Sequence, residues 1–439
     1  MGINRCCDVL GLWTAAIFFS MPVAHGQAQS IEWTRQLGYY SVSRGVSADG
    51  LGNVYFSGYL DGANGFDDAF IRRYDAAGNL QWTRQLGTTA FDDGYAVSAD
   101  GLGSVYISGY TSGSLGGPHA GLGDAFVSKY DAGGNLEWTR QFGTGSIDSS
   151  RGVSADGLGS VYISGQTKAS IDAGDAFINK YDSAGNLLWT RTLGTRSDDL
   201  STGVSADGLG NVYISGYTRA SLGGTNAGLY DAFASKYDAA GNLAWTRQWG
   251  TATDDFATGV SADGLGNVYL TGWTQGSVDG ANAGGADAFI NKYDAAGNLQ
   301  WIRQLGTDAN DYSFGVSADV RGNIYLSGFT YGSLGEMNGG GADVFVSKYD
   351  AAGNRQWITQ LGFASAGDFG RSVSADGLGN VYFSGYTFDG LSGSALGGKI
   401  NDLVPEPTFW PLAMMLGVTF VLRRRHGSRN IRTKATGPN

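Results

Sequence analysis

The stretch Gly203–Gly250 reads GVSADGLGNVYISGYT, then a variable segment containing SLGG, then DAFASKYDAAGNLAWTRQWG. Nearly the same text recurs along the chain. The Trp that opens its W-T-R motif or a close variant stands at Trp33, Trp82, Trp138, Trp189, Trp245, Trp301 and Trp357, with spacings of 49, 56, 51, 56, 56 and 56 residues. A fixed period of this length means one supersecondary unit that cannot bury its own apolar face and must stack on its neighbours. Seven such units decide the fold.

Each unit divides into four strand-like pieces. The first is G-V-S-A-D, as at Gly152–Asp156. A G-L-G turn leads to the second, N-V-Y-I-S-G-Y-T at Asn211–Thr218. A loop of variable length follows, then D-A-F-V-S-K-Y-D at Asp124–Asp131. An A-A-G or A-G-G turn leads to the fourth, N-L-x-W-T-R-Q-L-G at Asn79–Gly87. Val, Ile, Tyr, Phe and Trp fit a pleated, half-buried surface. The turn glycines supply the positive φ values that tight hairpins need. No helical period appears between Ile31 and Leu403.

A parallel β-helix uses shorter coils, and immunoglobulin-like beads need about 100 residues each. Four strands in roughly 50 residues is the propeller blade. The first and second strands occur seven times, but the recognisable third and fourth pair occurs six times. Ile31–Gly38, IEWTRQLG, is an orphan fourth strand with nothing before it. The sequence therefore predicts an all-β, seven-bladed β-propeller of four-stranded antiparallel blades over residues 31–403, closed by the N-terminal strand joining the last blade. The third strand of that blade must come from Phe388–Leu403, where S-A-L-G-G-K-I-N-D-L keeps part of the pattern.

The 439 residues carry a net charge of -11. Without residues 1–30 and 404–439 there remain 22 basic and 38 acidic residues, a net of -16 for the repeats. Such a surface repels nucleic acid and anionic lipid, so no nucleic-acid partner is expected. Cys6 and Cys7 are the two cysteines, and His119 is the single histidine inside the repeats. Zinc chemistry and phosphate-cradling loops find no residues there.

Residues 1–28 read as a signal peptide: Arg5 marks a basic start, Val9–Val23 is mostly apolar, and Ala24-His25-Gly26 offers a cleavage position. The competing reading is an N-terminal membrane anchor, for which the run is short, since a span takes about 20 residues. Either one implies export.

The text D-A-F-V-S-K-Y-D-A-x-G-N-L-x-W-T-R-Q-L-G followed by G-V-S-A-D-x-x-G-N-V-Y-I-S-G-Y-T resembles the SBBP family of bacterial β-propeller repeats, from Ile31 to about Thr387. That resemblance implies a scaffold and no single reaction. A second module begins at Val404, Pro405, Glu406 and Pro407, continues through the apolar run Thr408–Leu422, and ends on Arg423, Arg424 and Arg425. It resembles the PEP-CTERM sorting signal of exopolysaccharide-producing Gram-negative bacteria. The two prolines keep the chain extended for a processing enzyme, and the arginines stay cytoplasmic by the positive-inside rule. The resemblance implies transient inner-membrane anchoring, cleavage by an exosortase-type enzyme, and delivery to the cell envelope or extracellular surface. Residues 426–439 continue past the point where such signals usually stop and read as a disordered basic tail; a plain C-terminal anchor is the competing reading.

In an up-and-down blade the variable loops fall on one face of the ring, with the inter-blade connections. Binding is expected on that face. The same face carries a recurrent Asp five residues before the first-strand Val: Asp92, Asp148, Asp199, Asp255, Asp311 and Asp368, with Ser41 in the first copy. A ring of carboxylates near a channel could hold Ca²⁺; the plainer reading is an Asp that hydrogen-bonds its own turn, and no cofactor is expected. Asp68, Asp124, Asp175, Asp231, Asp287 and Asp343 read as turn-makers too. The repeated Trp and Tyr read as inter-blade packing, whereas Trp249 and Trp273 stand outside the repeat and are ligand candidates. His119 reads as solvated. With three Glu, at Glu32, Glu137 and Glu336, scattered in sequence, no catalytic constellation emerges. The expected function is a non-catalytic binding or scaffold module for exopolysaccharide or a surface protein. The alternatives are a carbohydrate-active enzyme, either a polysaccharide lyase or a glycosidase, and a Ca²⁺-stabilised structural ring.

Overall fold

The computed structural model describes residues 29–62, 66–168, 173–362, 367–388 and 393–402. The signal-peptide segment and the whole sorting segment, with Val404, Pro405, Glu406, Pro407, Arg423, Arg424 and Arg425, lie outside the described residues. So does the apolar run on which inner-membrane anchoring rests. Among the described residues no helix is long and apolar enough to cross a membrane.

Within the described residues, twenty-eight strands form seven four-stranded antiparallel sheets. The chain opens on β1 (Ser30–Tyr39). The first blade follows as β2 (Ser41–Ala48), β3 (Asn53–Asp61), β4 (Asp67–Asp75) and β5 (Leu80–Leu86), ordered β2-β3-β4-β5 from the centre outward. Blades two to six repeat this through β6 to β25, between Asp92 and Leu361. The last blade holds β26 (Gly367–Ala375), β27 (Asn380–Phe388) and β28 (Gly393–Asn401), and its fourth place is taken by β1. β1 pairs antiparallel with β28, Trp33 opposite Lys399 and Gln36 opposite Leu396. The expected closure is present, and Trp33 lies 6.2 Å ring to ring from Tyr382 of β27.

The core is the set of seams between blades. At the third seam Tyr162 and Ile178 pack on Val204, Ile214, Phe233 and Tyr237. At the closing seam Trp33, Leu37, Tyr382 and Ala395 pack on Val46, Phe56, Phe70 and Tyr74. The same residue classes meet in both places, so the join of the chain ends is built like any other junction. The tyrosines of V-Y-I and the phenylalanines of D-A-F are the largest fully buried side chains.

The motif Trp and Arg work as a clasp. Trp82 Nε1 donates to the Ala132 carbonyl at 3.1 Å, and Trp245 Nε1 to that of Ala295 at 3.2 Å. Arg140 Nε donates to the Gly185 carbonyl at 2.7 Å. Each holds the third-to-fourth turn of the next blade. The reading of the repeated Trp as packing residues is therefore correct.

Candidate ligand-binding site

Every innermost strand carries a β-bulge at the same place. In the fourth blade Ser201 opposes Gly216 and Gly203 opposes Ser215, which leaves Thr202 as the extra residue. The register slips identically around Arg44, Tyr95, Arg151, Thr258, Phe314 and Arg371. A bulge releases one residue from the ladder and re-aims its side chain. These seven side chains line the central channel together with the small residue and the Val that follow each of them.

The bulged position is also where the repeat text breaks. The seven copies read RGVSAD, YAVSAD, RGVSAD, TGVSAD, TGVSAD, FGVSAD and RSVSAD. Around the ring, Phe314, Arg371, Arg44, Tyr95 and Arg151 form one arc, and Thr202 and Thr258 form the other. The threonine hydroxyls turn into the wall, donating to the carbonyls of Ala257 at 2.8 Å and Ser313 at 2.7 Å. That leaves room above them. A cavity of about 280 Å³ opens there, walled by Tyr217, Phe256 and Trp273 on one side and the arginines on the other. Two further hollows adjoin it, one against Tyr59, Phe369 and Tyr386, the other against Tyr312, Phe329 and Tyr331.

The aromatic wall is ordered by mutual contact. Phe256 and Trp273 stack at 4.4 Å and 25°, Tyr217 meets Phe256 edge-on at 4.5 Å, and Tyr312 meets Trp273 edge-on at 5.4 Å. The arginines lie on rings. Arg44 sits 5.2 Å from Tyr59 and 4.9 Å from Tyr95, Arg151 5.8 Å from Tyr95, and Arg371 4.5 Å from Phe314. Arg371 Nη2 donates to the Tyr386 hydroxyl at 3.2 Å. Among the described residues no carboxylate lies at ion-pair distance from any of the three. The Nε atoms of Arg44 and Arg371 are buried without a hydrogen-bond partner. Burial lifts the Asp93 carboxyl above its ordinary value, with Arg44 pulling the other way. Burial and then the Asp93 charge push the Tyr95 phenol up to about 12.

The mouth lies at the end of the ring where the variable loops emerge, the face on which binding was expected, but strands build it. The long loops fold away over the outer strands instead. Leu222 N donates to Gln248 Oε1 at 2.7 Å, and Leu115 N to Gln141 Oε1 at 2.7 Å. Trp273 stands in the mouth, as expected of a ligand candidate. Trp249 does not: it packs edge-on against Phe289 at 4.6 Å within the seam. His119 is partly shielded, with Nδ1 3.6 Å from Asp124 Oδ2. Apart from Trp273, the mouth residues do not stand out in a reading that places binding on loops; their signal is the variation just upstream of the fixed Val-Ser-Ala text, at the bulge and two residues before it.

The recurrent aspartates lie three residues before the bulge and are fully buried, so they do not face the channel. Asp92, Asp199 and Asp255 each accept the amide and hydroxyl of the Thr four residues earlier, as with Thr88 to Asp92 at 2.6 and 2.8 Å. Asp124, Asp231 and Asp287 similarly accept a loop amide and a Gln side chain. Among the described residues no group of three or more acidic, His or Cys side chains could hold a metal ion.

The protein is thus a repeat-built seven-bladed β-propeller with a basic and aromatic channel mouth. Six stretches, residues 81–116, 137–172, 188–223, 244–278, 300–336 and 356–388, match the SBBP β-propeller repeat. Each runs from the fourth strand of one blade into the opening strands of the next. The regulatory protein FlaEY of Caulobacter vibrioides is 29% identical over 249 residues, 50% of this chain and 25% of that protein. An uncharacterised WD repeat-containing protein, L264, of Acanthamoeba polyphaga mimivirus is 25% identical over 244 residues, 44% of this chain and 17% of that protein. The chain thus aligns with a quarter or less of each curated relative. Among solved structures, a PL25 ulvan lyase superposes with a TM-score of 0.50 at 11% identity, over 84% of this chain and 96% of that one. The β-propeller domain of the Trilobed protease from Pyrococcus furiosus gives 0.46 at 11% identity, over 81% and 97%. At 11% identity the likeness to the ulvan lyase is one of fold.

Proposed function

We propose that this protein is an exported, non-catalytic binding module of the bacterial envelope or extracellular matrix, which holds its ligand at the channel mouth. One observation carries the reading. Seven bulges deliver to a single opening side chains that vary among Arg, Tyr, Thr and Phe, directly before the fixed Val-Ser-Ala text of each innermost strand. A purely structural ring has no use for that variation, and a rigid scaffold presenting varied side chains in a cavity is how binding proteins are built.

The Tyr95 phenol at the mouth is not tuned as a general base. A general base works with a pKa near the operating pH, and the Tyr95 phenol is held far above it. Export and sorting rest on the terminal sequences: the signal-peptide pattern, and the Pro-Glu-Pro, apolar run and Arg cluster that suit an exosortase-type enzyme.

The test is to incubate the purified full chain with exopolysaccharide and with surface proteins of the producing strain. Saturable binding that is lost in Trp273→Ala, with neither new reducing ends nor the ultraviolet absorbance of unsaturated uronates, supports the reading. Turnover that disappears in a mouth variant overturns it in favour of a carbohydrate-active enzyme. Mass spectrometry of the protein recovered from cells tests the processing. Retention of residues 404–439 in all of it would sink the sorting proposal.

A further inference from the structure

We infer that the mouth binds an acidic oligosaccharide, one bearing carboxylate or sulfate groups, with the anion held between Arg44, Arg151 and Arg371 and a sugar ring laid on the Phe256–Trp273 wall. The inference rests on the binding reading above and gives its ligand a chemistry.

Charge is the first argument. The repeats carry a net of -16, yet three of their arginines gather at one opening with no ion-pair partner among the described residues. Low-dielectric walls focus the field of such a cluster on whatever enters. Geometry is the second argument. A guanidinium recognises a carboxylate or sulfate through two parallel N–H groups. The Nε atoms of Arg44 and Arg371 are buried without a hydrogen-bond partner, so neither guanidinium has its donors fully engaged by the protein.

The opposite arc points to what carries the anion. Thr202 and Thr258 leave a gap, and behind it Phe256 and Trp273 present stacked rings, flanked by Tyr217 and Tyr312. An apolar ring face beside a polar rim matches a pyranose, whose C–H groups line its faces and whose hydroxyls ring its edge. A cavity of about 280 Å³ admits a short oligosaccharide. A nucleic acid, with a charge on every residue, would meet the repulsion of the surrounding acidic surface. A glycan spaces its charges further apart. An acidic peptide would use the arginines and leave the flat aromatic wall without a matching group.

The experiment is calorimetric titration of the full chain with oligoglucuronate, chondroitin sulfate oligosaccharide, maltohexaose, oligoglutamate and oligothymidylate at two salt concentrations. The expected result is binding of the first two that weakens with salt and no measurable binding of maltohexaose. Arg151→Gln, an exposed site with little risk to folding, is expected to weaken acidic binding about tenfold, the loss of one charge-assisted contact. Arg371→Lys is expected to retain more affinity than Arg371→Gln when both melt at the same temperature, which separates charge from packing.

Equal or tighter binding of maltohexaose overturns the inference, as does an Arg151→Gln variant with unchanged acidic binding. Tighter binding of oligoglutamate or oligothymidylate than of either acidic sugar overturns it in favour of those partners. If no acidic sugar binds while exopolysaccharide or a surface protein still does, the ligand chemistry is wrong and the binding module stands. If nothing binds in either assay, both fall.

Discussion

The Asp402 carboxylate accepts the Trp357 indole N–H at 2.8 Å. The other six tryptophans of the series give that proton to a backbone carbonyl, Trp33 to Ala76 and Trp301 to Ala351 among them. The difference has a topological cause. Every other blade ends in a turn from its third to its fourth strand, and that turn is what the preceding Trp grips. The last blade has no such turn, because its fourth strand is the start of the chain. Asp402, one residue past β28, puts a side-chain oxygen where a backbone oxygen is missing. The same carboxylate takes Lys348 Nζ and the Tyr325 hydroxyl, each at 2.6 Å; burial first, then this hydrogen bond and charge, hold that phenol well above its ordinary pKa.

Asp402→Ala is therefore expected to cost about 3–5 kcal/mol, the penalty for leaving one partner of a buried pair uncompensated. Lys348 and Asp402 are 9% and 6% exposed, so water does not replace the lost oxygen. Urea denaturation measures it. A loss under 1 kcal/mol would mean that the seam does not depend on this substitute turn.

Trp33→Ala should destabilise the ring by about 3–5 kcal/mol, as large aromatic deletions in cores do, and by more than the equivalent Trp189→Ala. Trp33 is buried at 7% and belongs to the one strand that no covalent turn ties to its blade. Equal losses at the two positions would show that strand exchange at the closure adds nothing.

Gly216 sits opposite the bulge, and a Cβ there would lie 1.8 Å from the Leu200 carbonyl oxygen. Gly216→Ala should cost at least the roughly 1–3 kcal/mol of an overpacked core and should disturb the bulge that aims Thr202. Gly145→Ala is the control. A Cβ there meets nothing within 4 Å, and a change within about 0.5 kcal/mol is expected.

Stability should vary with pH in two opposed ways. Burial raises the Asp255 and Asp311 carboxyls above 3.8, so the folded state takes up protons there first. Their contribution grows as pH falls from above the folded value to 3.8, and it fades as pH rises. The turn carboxyls of Asp131, Asp182 and Asp238 are lowered by bonds from the Asn four residues on. Their contribution is present above 3.8 and is lost as pH falls below it. The melting temperature should pass through a maximum on the acid side, and Asp255→Asn should flatten its rise. A melting temperature that falls steadily from neutral pH to 3.8 contradicts the raised pair.

Period, strand count and closure could be read from the letters because each rests on a repeated local reason: Trp spacing, turn glycines and an unmatched IEWTRQLG. The third strand of the last blade was harder, and the structure explains why its text is worn. Gly397 stands where the other blades carry Ile, Val or Ala, and Gly398 where they carry Ser, Asn or Arg. A Cβ at the first would run into Phe56 and one at the second into Phe383, the two blades that carry Phe where others carry Ile or Leu. Volume has moved from one strand to its neighbours, so the pattern is complete only in three dimensions. The bulge could not be read at all. It adds no unusual residue type, and only the pairing register shows that the column before Gly-Val has left the ladder. Asp402 likewise looks like another turn Asp until the absent turn is seen.

Since the out-of-register residue stands outside the ladder, exchanging it leaves the strand pairing as it was. Seven such sites around one keyhole behave like the pins of a tumbler lock. Copying a blade, or altering one letter in it, can recut the key while the barrel keeps its shape.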